Sequence, residues 1–161
     1  MTLNAVANIT NIKRSLDFYC RANLNVAEEL DVDFEGLPFD ETSVSEWVMP
    51  RILDIDSTYR RQGSSTRYGE SVNIMFQINI FVKKGGMRIA NRTSTIRDMI
   101  VSYFRLKKDI SLRSYLEGET TLLDSMRVRK IVTDFALPET ETLYQHALAW
   151  NLVFTRLTDN P

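Results

Sequence analysis

The chain has 161 residues, of which 43% are hydrophobic and 25% charged, and its net charge is −1. This composition is ordinary for a soluble globular protein, and the length fits a single domain, residues 1–161, with a sizeable core. No window approaches the roughly 20 apolar residues of a membrane span, and the start lacks the apolar run of a signal peptide. We therefore expect an intracellular product that has no membrane partner.

The first third of the chain predicts one helix, an exposed connection and an edge strand. Asn8 or Thr10 can cap a helix that ends near Asn23. Residues 25–45 are acidic, contain a glycine and a proline, and show no sustained period, which favours an exposed connection. In residues 46–56 alternate positions are apolar, but the proline in that run favours an edge strand or a bulge.

Residues 57–70 lie between that strand and a longer one, and they are rich in glycine, serine and arginine. The segment is too long for a tight hairpin, and connections of this length are uncommon in compact domains unless they are functional or disordered. We predict an arm that projects from the body of the domain. Its basic residues are Arg60, Arg61 and Arg67.

The most informative stretch is residues 69–104. Apolar side chains alternate from Val72 to Val82, which predicts a long strand with one fully apolar face. Gly85-Gly86 then predicts a turn, and a helical face follows at Ile89, Ile96, Ile100 and Tyr103.

The last third predicts two more strands. Residues 107–121 are weakly patterned, residues 126–130 alternate as a short strand, Pro138 breaks the chain, and residues 144–154 alternate as a closing strand. The element order predicts an α+β fold, with two helices packed on one face of a largely antiparallel or mixed sheet and a projecting loop or hairpin arm.

Charge is divided unevenly along the chain. Residues 1–56 carry a net charge of −7, residues 57–115 carry +9, and residues 116–161 carry −3. Such segregation can place a basic surface of one copy against an acidic surface of the next, or against nucleic acid. Alternatively, folding interleaves the three segments and cancels the asymmetry.

Few residues offer catalytic chemistry. His146 is the only histidine and lies in the alternating closing strand, where a structural role is favoured over that of a general base. Cys20 is the only cysteine, so it can form no internal disulfide; a nucleophilic pair with His146 would need an oxyanion site that nothing in the sequence marks. We expect a core cysteine, no catalytic residue and no cofactor.

Three charged patterns also invite a binding interpretation. The acidic run from Glu28 to Glu35 lacks the spacing of an EF-hand loop, so a solvated face is preferred over a metal site. In Lys83-Lys84-Gly85-Gly86 the glycines follow the lysines, which is the wrong order for a phosphate loop. The arginines and tyrosines of the arm could contact nucleic acid, but loops with a few arginines are common.

Several local patterns, taken with the element order, resemble the tail terminator proteins of long-tailed bacteriophages. They are Gly36-Leu37-Pro38-Phe39 before a strand, Arg61 and Gly63 before Tyr68-Gly69, the strand end Asn79-Ile80-Phe81-Val82, the glycine turn with its helix, and the closing strand. Pro50 and the stretch from residue 105 to residue 125 depart from the pattern expected of that family.

The resemblance implies a structural virion protein of the tail or neck, assembled in the host cytoplasm. A homohexameric ring would bind the last ring of tail tube protein, stop tube growth and offer a surface to the head-completion or neck connector protein, close to DNA in the lumen. Another neck or tail-completion subunit is the alternative function, and a small nucleic-acid-binding module is a further one.

A cyclic assembly has heterologous interfaces, so an acidic surface of one subunit can meet a basic surface of its neighbour. The long alternating strand could also extend a sheet between neighbours, given an exposed edge. The residues predicted for the oligomer or tube interface are Arg60, Arg61, Arg67, Lys83, Lys84, Glu28 and Glu29.

Overall fold

A computed structural model describes residues 9–64, 67–85, 91–115 and 121–159. These residues form two α-helices and six strands. The elements are α1 (Ile9–Cys20) with a π-helical continuation (Arg21–Val26), β1 (Asp31–Val32), β2 (Glu46–Ser64), β3 (Arg67–Lys83), α2 (Asn91–Tyr103), β4 (Asp109–Arg113), β5 (Leu122–Ala136) and β6 (Leu143–Asp159).

The six strands form one mixed sheet in the order β1-β2-β3-β6-β5-β4. Only β1 and β2 pair in parallel, and the other neighbours are antiparallel. The sheet curls into a half-barrel with the two helices. The predicted α+β class is confirmed.

The core lies on the helix side of β3 and β6. Side chains alternate across a strand, and every apolar residue at alternate positions from Val72 to Val82 is buried. The register places Phe76 opposite Trp150 and Ile78 opposite Leu148, so both strands contribute their apolar faces to the same side. The sequence prediction of this strand is correct because its apolar residues recur at every second position without interruption.

Helix α1 buries an apolar stripe and two polar side chains. Ile12, Leu16 and Cys20 lie in the core, at the spacing of one helical face. Asn11 and Ser15 are also buried, and their side-chain oxygens accept hydrogen bonds from the backbone N–H groups of Tyr115 (2.9 Å) and Arg113 (3.0 Å). Helix α1 therefore covers the outer edge of β4.

Helix α2 packs over β3 and β6. Ile96 and Ile100 are fully buried, and Phe104 follows directly after the helix. The Phe104 ring stacks on Phe76 and Trp150, with centroid distances of 5.7 and 4.7 Å. Aromatic stacking thus fixes the end of α2 against the two central strands.

Several predicted boundaries are wrong. Residues 57–64 and 67–70, predicted as a connection, continue β2 and β3 as a paired hairpin. Strand β5 extends from Leu122 to Ala136, whereas the sequence predicts only residues 126–130. The prediction is too short because bulges at Val128/Lys130 and Ile131/Thr133 interrupt the alternation of side chains. The weakly patterned stretch contains β4, and α1 ends at Cys20 before the π-helical turn. Asn8, Gly86 and Ile89 lie outside the described residues.

Two strands are covered along only part of their outer edges. Strand β1 pairs with β2 at Trp47 and Val48, and β4 pairs with residues 122–127 of β5. Among the described strands, none pairs with the outer edge of β2 after residue 50, or with that of β5 after residue 128. No helix in the described part of the chain is long and apolar enough to cross a membrane.

Candidate functional site

The predicted basic arm lies at one end of the sheet. Arg60 and Arg61 belong to β2, and Arg67 is the first residue of β3. Their backbone is described, whereas their side chains are outside the described part. All three arginines therefore lie at the hairpin end of β2 and β3. This end is opposite the one at which the chain enters β2 and leaves β3.

The predicted lysines lie at the opposite end and are held by the subunit itself. The Lys83 ammonium donates to the carbonyl oxygens of Glu41 (2.5 Å) and Thr42 (3.1 Å). Lys84 forms an ion pair with Glu139 (2.6 Å) and lies 4.9 Å from the centre of the Tyr144 ring. Through these contacts, each lysine connects a loop to the end of a strand.

Glu28 and Glu29 follow the π-helical turn of α1. The Glu28 carboxylate accepts a hydrogen bond from the Tyr103 hydroxyl at the end of α2, which raises the pKa of that phenol. Glu29 is exposed and has φ of 55°, a conformation unusual for a residue with a side chain. Glu28 thereby links the two helices.

The seven predicted residues do not converge on one site. Arg67 and Lys83 stand at the two ends of β3, which spans about 54 Å at roughly 3.4 Å per residue. The sequence reveals each group of charges, but the distance between the groups depends on the lengths of β2 and β3, which the sequence prediction places too short.

Ion pairs cancel part of the charge segregation. Arg92 binds Glu46 through two hydrogen bonds (3.0 and 2.7 Å), and Arg97 Nε donates to the Asp134 carboxylate (3.2 Å). These pairs, with Lys84 and Glu139, join the basic middle segment to both acidic ends. The alternative of interleaved charge therefore holds for these residues.

A cluster of three charged or titratable side chains joins α2 to β5 and β6. Asp134 accepts hydrogen bonds from the Arg97 guanidinium, and one of its oxygens lies 2.8 Å from His146 Nε2. Arg97 also binds Asp98 (2.7 Å). The Arg97 and His146 contacts hold the pKa of Asp134 below its usual range. His146 thus has a fixed carboxylate partner within the subunit.

Cys20 is fully buried, and burial raises the pKa of its thiol, with a smaller contribution from Asp17. A raised pKa disfavours the thiolate that acts as a nucleophile. Cys20 lies on α1, whereas the partner of His146 is Asp134. Within the described residues, no group of three His, Cys, Asp or Glu side chains can hold a metal ion.

The sheet has a second face that the described helices do not cover. At the centre of this outer face, Asn73, Met75, Gln77 and Asn79 of β3 are half-buried, and the Gln77 amide donates to Asn79 (2.9 Å). On β6 the same face carries small buried alanines and an asparagine: Ala147, Ala149 and Asn151. The centre of the face is therefore uncharged and combines amide side chains with Met75 and small apolar residues.

An open groove of about 1220 Å³ lies between α1 and β2. Four of its apolar side chains are more than half exposed: Ile9 and Phe18 of α1, Leu37 of the connection before β2, and Leu53 of β2. Exposed apolar surface of this kind marks interaction sites. Phe18 and Leu53 are scattered in the sequence, and only the folded chain brings them to one groove.

Neither a model of a known protein family nor a curated protein matches this chain. Several solved chains match this fold, and one of them aligns with a TM-score of 0.50. The alignment covers 88% of this chain and 96% of the solved chain, at 16% sequence identity. At that identity the likeness shows the fold alone.

Proposed function

We propose that this protein is a tail terminator subunit: a structural virion protein that forms a ring, most simply a hexamer, on the end of a phage tail tube. The ring stops tube polymerisation and presents a surface to the head-completion or neck connector protein. This proposal follows from the sequence resemblance, and it makes the chain a non-enzymatic assembly protein located in the virion.

The observation that carries the proposal is the one-sided covering of the sheet. Its helix side is a packed core, whereas its outer face presents half-buried uncharged residues such as Met75 and Gln77. A surface of this type suits contact with another protein, because little charge must be desolvated when it is covered. The groove beside α1, with the exposed apolar side chains of Phe18 and Leu53, offers a second contact surface.

Capping by a ring requires no chemical step. Six equivalent weak contacts, held in a fixed geometry, act together and gain avidity over a single contact. A substitution on the contact surface changes all six contacts at once, so modest local effects become large effects on capping.

The test is tube growth with purified tube protein. The proposal predicts that added protein shortens tubes and is found at one end as a ring by negative-stain microscopy. Tubes of unchanged length with no bound protein would overturn it. A neck or tail-completion subunit would instead bind the terminated tail or the head and leave naked tubes growing.

A further inference from the structure

We propose that neighbouring subunits join edge to edge, residues 129–134 of β5 in one copy pairing antiparallel with residues 51–56 of β2 in the next. This inference rests on the proposed ring and names the contact that builds it. It arises from the two strand edges that the described chain leaves unpaired. Unpaired edges present rows of N–H and C=O groups that readily pair with another chain.

The strand directions suit a head-to-tail repeat. Four strands, β2, β3, β6 and β5, lie in order between the two free edges, and each pair is antiparallel. Strands β2 and β5 therefore run in opposite directions. Rotation about a ring axis does not change the direction in which a strand runs along that axis. Strand β5 of one copy therefore meets β2 of the next as an antiparallel pair.

The two edges carry opposite charges. A row across the sheet runs from Asp54 through Met75 and Asn151 to Lys130. Repeating the sheet sideways brings Lys130 of one copy beside Asp54 of its neighbour. Both side chains are exposed, and neither makes an ion pair with any described residue of its own subunit.

The adjacent row carries apolar residues to the same junction. It runs from Ile52 through Phe76 and Trp150 to Ile131, on the helix side of the sheet. Ile131 and its neighbour Val132 are exposed in the subunit, although they are large and apolar. The groove beside α1 opens at residues 52–55 of β2, so it can receive these side chains.

The length of the junction is limited because β1 and β4 already pair with part of each edge. Strand β4 occupies the edge of β5 up to residue 127, and β1 occupies that of β2 at Trp47 and Val48. Because α1 satisfies N–H groups at the outer edge of β4, that edge offers fewer groups to a neighbour. Pairing is thus confined to a short stretch, and the arm of residues 57–70 passes the neighbour's β4.

Cysteine pairs test the contact directly. Cys20→Ala leaves a chain without thiols, in which Asp54→Cys with Lys130→Cys, or Asp56→Cys with Lys130→Cys, should give disulfide-linked oligomers on mild oxidation. The second pair detects a register shifted by two residues. A control pair, Asp98→Cys with Lys130→Cys, should stay unlinked because Asp98 lies on α2. Absence of links in both test pairs, while rings form, overturns the inference and leaves the proposed ring standing.

Charge reversal supplies a second readout by light scattering. Lys130→Glu should shift the ring towards monomer, and adding Asp54→Lys should restore it, whereas Lys108→Glu makes the same change outside the junction and should not. A linked dimer of the Lys130→Cys single variant would show two β5 edges meeting about a two-fold axis, which overturns the inference. A wild type that is monomeric alone and on tubes overturns both proposals.

Discussion

The most informative single residue is Asp134, because it connects three elements through one carboxylate. It accepts hydrogen bonds from Arg97 of α2 and lies 2.8 Å from His146 of β6. A carboxyl whose folded pKa is depressed adds stability above its unfolded pKa and loses it as pH falls through the folded value. Asp134 is such a group, with its ordinary value at 3.8.

We therefore expect Asp134→Asn to lower the melting temperature near neutral pH, and the difference from wild type to shrink as pH falls below about 4. Thermal melts followed by circular dichroism between pH 7 and pH 2.5 measure this. Asp109→Asn is the control, since that carboxylate pairs with Arg127 at an exposed site where solvent screens the charge. An undiminished difference at pH 2.5 would contradict the assignment.

The histidine itself should be dispensable for assembly. His146→Gln keeps a side-chain amide that can donate to Asp134, so a folded variant should cap tubes as wild type does. Cys20→Ala, made separately, removes the buried thiol and should also retain capping. Tube length with each purified variant is the measurement. Loss of capping by a well-folded His146→Gln would contradict a non-enzymatic role.

Among the elements, α2 is followed by one aromatic ring that packs its C-terminal end against the core. Phe104 contacts Tyr19 of α1 as well as Phe76 and Trp150 of the central strands. We expect Phe104→Ala to lower the free energy of unfolding by about 3–5 kcal/mol, the usual cost of deleting a buried aromatic side chain. Phe104→Leu fills most of the space and should cost less.

Urea unfolding at constant pH gives both values. Phe135→Ala is the matched control, since that phenylalanine is about half exposed on β5 and should cost much less than Phe104→Ala. Equal losses for the two alanine variants would show that the stack does not hold α2.

For the hairpin arm, we expect substitutions to affect assembly and not stability. We expect that replacing Arg60, Arg61 and Arg67 together with serine leaves the melting temperature nearly unchanged, since an arm predicted from the sequence to project carries solvated charges, which add little stability. The same variant should impair ring assembly or tail joining, since in the proposed ring the arm passes the neighbouring subunit. Normal tails and infectivity in the triple variant would count against this role.

At the same scale, the sequence predicts elements well where one period dominates. Strand β3 and the closing strand were predicted because their apolar residues alternate without interruption. The prediction of β5 is too short because two bulges shift its side chains. The β2–β3 arm is predicted as a loop or hairpin, but not as a continuation of both strands, because its glycines, serines and arginines resemble a loop. The sequence does not predict which strand edges stay unpaired, because the pairing of each strand depends on the order of strands in the sheet.

The expected sheet extension illustrates this limit. The alternating strand β3 was expected to extend a sheet between neighbours, given an exposed edge. In the structure β3 is central, paired with β2 on one side and β6 on the other. The edges that remain free belong to β2 and β5, and their charges, Asp54 and Lys130, were not among the predicted interface residues.

For the whole molecule, the central claim is that identical subunits close into a ring that terminates the tail tube. The most direct measurement is mass determination by light scattering, combined with negative-stain images of the protein alone and mixed with purified tubes. The account predicts uniform rings, most simply hexamers, seated on one end of tubes that stop growing. A protein that stays monomeric at high concentration and also fails to assemble on tubes would contradict it.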